Sequence, residues 1–259
     1  MSESVIKKIK TQVISNSVMI ATFAVLFLIW EALVRVFRIN PVVLPAPSDI
    51  VAVMLNLQTG YYVPWERHIS VTLFEILTGF ALAAIVGIAL AMLVVYSFVL
   101  ERVIMPLIVF IEVLPKIAVA PLFLIWVGYG TEPKIAIAFL IAFFPIVVST
   151  ANGLKDVEAD MIDLMRVLGA SKLQIFFKVR FPNSIPHIMS GLSIGMASAV
   201  IGAIVGEFVA ANEGLGFLIV NAQYQLLTAM AFASLFYIAI IGLILYGAVV
   251  AFGRVLKRF

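Results

Sequence analysis

An all-α polytopic membrane protein with about six membrane-spanning helices is the fold this sequence predicts. Three observations carry that expectation. The 259 residues are 64% hydrophobic and only 12% charged, against roughly 45–50% and about 25% in an ordinary soluble domain. The mean hydropathy is +1.18. The 31 charged side chains are crowded into a few segments, so they cannot clothe a soluble core of this size.

A helix crosses a hydrocarbon layer of about 30 Å with roughly 20 apolar residues. Six stretches meet that length: 18–37, 71–95, 103–127, 135–153, 188–210 and 231–252. The first is too long for the apolar part of a signal peptide, and no small-residue cleavage site follows before Arg35. Sidedness follows from Lys and Arg. With the N-terminus inside, the internal segments hold Lys7, Lys8, Lys10, Arg102, Lys155, Arg166, Lys172, Lys178, Arg180, Arg254, Lys257 and Arg258. The external segments hold only Arg35, Arg38, Arg67 and Lys134. Twelve against four places both termini in the cytoplasm. The expected organisation is a cytoplasmic segment 1–17 and one transmembrane domain, 18–259, with a cytoplasmic loop at 154–187 between the fourth and fifth spans.

The sequence excludes several classes. There is no cysteine, and His68 and His187 stand far apart, so no metal site is expected. The basic residues sit beside apolar spans, which topology explains without a nucleic-acid partner. No phosphate-binding Gly-Lys motif occurs, and no close set of His, Ser and carboxylate suggests catalysis. The chain is not expected to be an enzyme or to hold a cofactor.

The external stretch 40–70 contains "VLPAPSDIV", where Ser48 or Asp49 is placed to cap a short helix running to about Leu57. The cytoplasmic loop is more strongly punctuated. Residues 156–168 put Val157, Met161, Leu164 and Leu168 on one helical stripe, with acids in the first turn and Arg166 in the last. Gly169 supplies a left-handed stop. Ser171 and Gln174 form a capping box. A second short helix follows with Leu173, Phe176 and Phe177 on one side, and Pro182 and Pro186 are expected to end it. Such a structure fits either a groove on a soluble partner or the surface of anionic lipid.

Charges inside the spans are costly and invite a role. Glu112 and Lys116 stand at i, i+4 in the third span. They read as substrate-path residues, as a structural ion pair, or, for Lys116, as a cap on backbone groups freed by Pro115. In the fifth span Gly191, Gly195, Ser198, Gly202 and Gly206 recur at steps of four, three, four and four, a small-residue face for close helix approach. Glu207 lies nearly opposite, turned toward a pathway, a second helix or interfacial water. Glu31 and Glu75 are also embedded, and the pattern gives no account of Glu75.

Asp163-Leu-Met-Arg166-Val-Leu-Gly169-Ala-Ser171, followed by Val179-Arg-Phe181-Pro182, resembles the EAA loop of binding-protein-dependent ABC importer permeases. The Gly and Pro keep their spacing. Asp163 replaces a Glu, Leu164 and Met165 two alanines, Val179 an Ile and Phe181 a Leu. "LPAPSDI", "PKIAVAPLFLIWVGYG" and "GEFVAANEGLGFLI" extend the resemblance over nearly the whole chain, toward the nitrate, sulfonate, taurine and bicarbonate subfamily. That resemblance implies a type I importer permease of the bacterial inner membrane. It implies a second permease chain, often an identical copy, two ATPase subunits binding ATP and Mg2+, and an external solute-binding protein. By position, Asp163, Arg166, Gly169, Ala170 and Ser171 would meet the ATPase, flanked by Gln174, Phe176 and Phe177. Glu31 matches the family's "WE" and would orient its helix through backbone contacts. The implied cargo is a small anion such as a sulfonate, taurine or nitrate. Relatives assigned to riboflavin, thiamine-pyrimidine precursors or aromatic acids supply the alternative. A channel or secondary transporter working without an ATPase is the rival of another class.

Overall fold

The structure is a computed structural model that describes residues 3–58 and 60–256, without the side chains of 3–16, 20 and 210. Lys257 and Arg258, counted above among the internal cations, lie outside the described residues, as do Met1 and Ser2 of the expected N-terminal segment. All regular structure among the described residues is helical: α1 (Glu3–Val36), α2 (Pro47–Met54), α3 (Trp65–Tyr96), α4 (Phe98–Val113), α5 (Lys116–Val127), α6 (Glu132–Lys155), α7 (Ala159–Val167), α8 (Lys172–Ile175), α9 (Phe181–Ala210), α10 (Leu215–Tyr224) and α11 (Thr228–Leu256). Among the described residues five helices are long and apolar enough to cross a membrane, and the bent pair α4–α5 makes a sixth crossing if it is one span. Chain contacts divide the molecule into two compact units, Met1–Val63 with Asn221–Ser234 and Pro64–Val220 with Leu235–Phe259.

In the first unit, α2 begins at Pro47, earlier than a cap at Ser48 or Asp49 would allow, and ends at Met54, earlier than expected. Neither Ser48 nor Asp49 caps it; its N-cap is Ala46 and makes no side-chain cap bond. The cap comes from α1 instead. Glu31 Oε2 accepts the Ser48 amide at 3.0 Å, and Oε1 accepts the Ser48 hydroxyl at 2.8 Å. Arg35 then donates to Glu31, Ser48 and Asp49. An anion beside the exposed amides of a helix start is favourable, and a carboxylate 17 residues away can supply it as well as a local Ser.

In the second unit, α6 packs most extensively on α9 and next on α3. Small residues permit this. A Cβ at Gly202 would stand 2.6 Å from Ala138 Cα, and one at Gly206 2.9 Å from Lys134 Cα. Gly191 faces Ser149 and Gly195 faces Ile146. A second stripe, unnoticed in the sequence, runs along α3: Gly79, Ala83, Gly87 and Ala91 are buried at steps of four, with Gly79 against Ala138 and Gly87 against Ile146. Ser198 is partly buried.

Two expectations are corrected. The third span is not one helix. α4 and α5 meet at a 98° bend at Leu114–Pro115. Pro115 lacks an amide hydrogen and forces Leu114 into an extended conformation, φ −62° and ψ 141°. Nor do Pro182 and Pro186 turn the chain out of a short helix. α8 runs through a π-helical turn, Phe176–Arg180, directly into α9, so that Lys172–Val209 is one 38-residue run. Pro182 directly follows the π-helical turn, where the Phe181 amide already reaches back to Phe176 O and the regular ladder is shifted, and Pro186 is carried within α9.

Candidate functional site

The bundle of α3, α6 and α9 has two ends, and each gathers a distinct set of polar residues. At one end lies the elbow α7–α8. The helix α7 starts at Ala159 rather than at Asp156, because Asp156 is the C-cap of α6. The turn after α7 closes by a pair of backbone bonds, Gly169 N–H to Arg166 O at 3.0 Å and Ala170 N–H to Met165 O at 2.9 Å. These require the left-handed residue between them, and Gly169 has φ +75°. Ser171 then caps α8: its hydroxyl accepts the Gln174 amide at 3.3 Å, and Gln174 Oε1 accepts the Ser171 amide at 2.8 Å. Asp163 and Arg166 pair at 2.8 Å, both largely exposed.

The elbow is anchored on one side and bare on the other. Ile175, Phe176 and Val179 are buried, and Phe176 joins a core with Ala91, Val95, Phe144, Val147, Ala151 and Leu154. Leu164, Val167, Leu168, Leu173 and Phe177 are exposed, Val167 to 85%. Further ties hold the elbow's base. Lys155 Nζ lies 2.6 Å from Glu101 Oε1, and His187 Nε2 lies 3.1 Å from Asp156 Oδ2. The Asn183 side-chain amide donates to the Asp156 carbonyl. A cavity of about 620 Å³ opens beside these residues, lined in part by Tyr96, Glu101, Arg166, Lys172, Phe176 and Arg180. α8 is thus joined to α9 by one continuous helical run, and α9 packs through its glycine face on α6.

At the opposite end, the N-terminal turns of α3 and α6 meet the C-terminal turns of α9. Glu207 is 1% exposed, enclosed by helices. Its Oε1 accepts the Thr72 hydroxyl at 2.6 Å, and its Oε2 accepts the Gly216 amide at 2.5 Å. Thr72 Oγ1 accepts the Leu215 amide and His68 Nδ1 the Gly214 amide. The amides of Gly214, Leu215 and Gly216, at the start of α10, are therefore held by side chains of α3 and α9. Glu75, fully buried, faces Lys134 Nζ at 2.6 Å. Arg67 pairs with Glu213 at the rim, and that guanidinium holds the Glu213 carboxyl below the usual carboxylate range.

The remaining charged candidates separate. Glu112 closes α4 and Lys116 opens α5, so the bend removes their i, i+4 relation and no ion pair joins them among the described residues. Lys116 Nζ lies 5.1 Å from the centre of the Phe144 ring, an attractive cation–π contact. It stands at the positive end of a half-helix. Sequence spacing missed the Glu75–Lys134 pair and Thr72, whose partners lie at least 59 residues away in the chain. The one available signal was Glu75 itself, an embedded acid that needed a partner.

Three comparisons set the chain among known proteins. Residues 69–258 match the family described as binding-protein-dependent transport system inner membrane component. The formylaminopyrimidine transport permease ThiX of Halalkalibacterium halodurans is 36% identical over 227 residues, covering 88% of this chain and 89% of its own. The riboflavin transport permease RibX of Chloroflexus aurantiacus is 32% identical over 92% of this chain and 88% of its own, and the taurine permease TauC of Escherichia coli 30% over 87% and 83%. Among solved structures, a chain of the inward-facing MetNI methionine ABC transporter superposes with a TM-score of 0.62 at 20% identity, over 73% of this chain and 94% of that one. That likeness bears on the fold.

Proposed function

The chain belongs to the binding-protein-dependent transport system inner membrane components, the ABC importer permeases, and from that premise we propose how it works and what it carries. The elbow at Asp163, Arg166, Gly169, Ala170, Ser171 and Gln174 docks on a separate ATPase subunit, one on each of two permease copies. ATP and Mg2+ bind there and not on this chain. Both termini face the cytoplasm, and a solute-binding protein delivers cargo from outside. The observation that supports this reading is the continuous run from α8 into α9. It makes the elbow and the pathway wall one body. ATP shifts the permease between states only as far as the ATPase grips one elbow position better than the other.

The cargo is a small anion, contacted by Lys116 at the broken third span, where a half-helix opens with its positive end. A pyrimidine precursor of thiamine is the second reading, favoured by the 36% identity to the formylaminopyrimidine permease. The test is uptake into proteoliposomes carrying the chain, its ATPase and its receptor, with labelled taurine and labelled formylaminopyrimidine. ATP-dependent accumulation of taurine that weakens several-fold in Lys116→Gln supports the first reading. Accumulation of the pyrimidine, indifferent to Lys116→Gln, selects the second. Uptake by the chain without any ATPase overturns the whole proposal.

A further inference from the structure

Glu75, Lys134 and Glu207 are 0%, 4% and 1% exposed, on three different helices of one packed unit. Two carboxyl groups and one ammonium carry a net charge of −1 if all are ionised. An uncompensated charge at such burial costs several kcal/mol or more. Among the described residues no further cation is at hand. Arg67 is engaged by Glu213 at the rim, and His68 presents Nδ1 as an acceptor to Gly214.

The hydrogen bonds show where the deficit lies. Glu207 is supplied by Thr72 and Gly216. Glu75 has Lys134 close by at 2.6 Å, yet neither of its oxygens accepts a well-formed hydrogen bond among the described residues. Thr72, the donor to Glu207, stands one turn before Glu75 on α3, and Lys134, the partner of Glu75, packs against Gly206, the neighbour of Glu207, so the two carboxyl groups share one enclosed pocket. Two carboxylates cannot bond to one another unless a hydrogen stands between them. Supplying one hydrogen satisfies the orphaned oxygen and cancels the surplus charge together.

We propose that Glu75 and Glu207 share one proton, forming with Lys134 a neutral proton-binding site at the α10 end of the bundle. The shared proton holds α3 and α9 together through a carboxyl–carboxylate bond. Because Glu207 also accepts the Gly216 amide, and Thr72, which donates to Glu207, accepts the Leu215 amide, occupancy of the site governs how firmly the start of α10 is tied down. Removing the proton returns a net negative charge to the contact between α3 and α9 and loosens it. The charged and titratable groups that face the site are Lys134 from α6, His68 and Arg67 from α3, and Glu213 from the segment before α10.

Infrared spectroscopy of the full-length protein in lipid nanodiscs at neutral pH tests this. A protonated carboxyl gives a C=O band that moves to lower frequency in D2O. The wild type should show one such band, absent from both Glu75→Gln and Glu207→Gln and retained in Glu213→Gln. Lys134→Met should add a second, because the site then needs two protons for neutrality. Equal carboxyl bands in wild type and both Gln variants would overturn the proposal. A band lost in one variant and kept in the other would also overturn it, since the proton would then belong to a single group. If Glu207→Gln does not fold, Glu75→Gln still decides, because glutamine keeps an oxygen toward Lys134 and hydrogens toward Glu207: an unchanged band there refutes the site. The readout is independent of transport, so the site can fail while the permease reading stands.

Discussion

The elbow and the α10 end are both polar constructions at the ends of the same three helices, and they are built on opposite principles. The elbow is held in shape by its own backbone. A left-handed Gly169, a pair of closing amide bonds and a capping box fix its angle within residues 165–174. Its side chains stay largely in the open, with Gly169 facing no atom within 4 Å of where a Cβ would stand. The α10 end is fixed by side chains brought together from α3, α6, α9 and the segment 213–216. The elbow keeps its surface free and takes rigidity from local geometry, as the docking proposed for it requires. A part buried in the membrane has no water to satisfy it, so every polar atom needs a partner from another helix.

This contrast breaks most sharply with a substitution on the packed side. Gly202→Leu places side-chain atoms where Ala138 Cα and Ile137 O already stand, 2.6 and 2.9 Å from a bare Cβ. Those are backbone atoms of α6 and cannot rotate away. Overpacking a well-filled contact costs about 1–3 kcal/mol and more when backbone must move. The expected outcome is a large fall in the melting temperature of the detergent-solubilised protein, or loss of monodisperse material. An unchanged melting curve would mean that the α6–α9 face is not a determinant of the fold.

Gly169→Val gives the converse result. Nothing crowds the site, so packing is untouched, but φ +75° is strongly disfavoured for a β-branched residue, at a cost of about 1–2 kcal/mol. The elbow relieves that strain by opening. Melting temperature should change little, while ATP hydrolysis in the assembled complex ceases to respond to the loaded receptor. Normal receptor-stimulated hydrolysis would show that the bend angle does not set the coupling.

The same contrast explains what could be read from the chain. Gly169, the Ser171–Gln174 box and the Gly stripe of α9 were legible because each obeys a local rule of backbone or helical period. The bend at Pro115 was missed for a different reason. Hydropathy is blind to it, since both half-helices are apolar, and the i, i+4 spacing of Glu112 and Lys116 presumed a helix that Pro115 interrupts. Pro182 and Pro186 misled in the other direction, because a π-helical turn at Phe176–Arg180 lets the run continue. Glu31 matched the family's "WE" and was expected to orient its own helix; its bonds to the Ser48 amide and hydroxyl of α2 were not foreseen, because the local rule favoured Ser48 as the cap. Lys134 counted only as an external cation. Its pairing with Glu75 depends on how α3 and α6 stack, which no spacing along one helix encodes.

The rim of the α10 end supplies the smallest effect and a boundary for the comparison. Arg67 and Glu213 join α3 to the segment before α10, but the Arg67 side chain is 65% and the Glu213 side chain 34% open to solvent. The pairing holds the Glu213 carboxyl below its ordinary value. A depressed carboxyl stabilises the fold above the unfolded value and loses that contribution as the pH falls through the folded one. Wild type and Arg67→Gln should therefore differ slightly near neutrality, begin to converge below about pH 4, where an ordinary glutamate takes up its proton, and meet only once the pH has passed the depressed folded value. High salt should narrow the difference at neutral pH, since an exposed pair is screened. Thermal melts across pH and ionic strength read this directly. If Arg67→Gln instead melts far below wild type at every pH and salt concentration, the rim is as dry as the interior beneath it, and the buried region extends to the surface of the bundle.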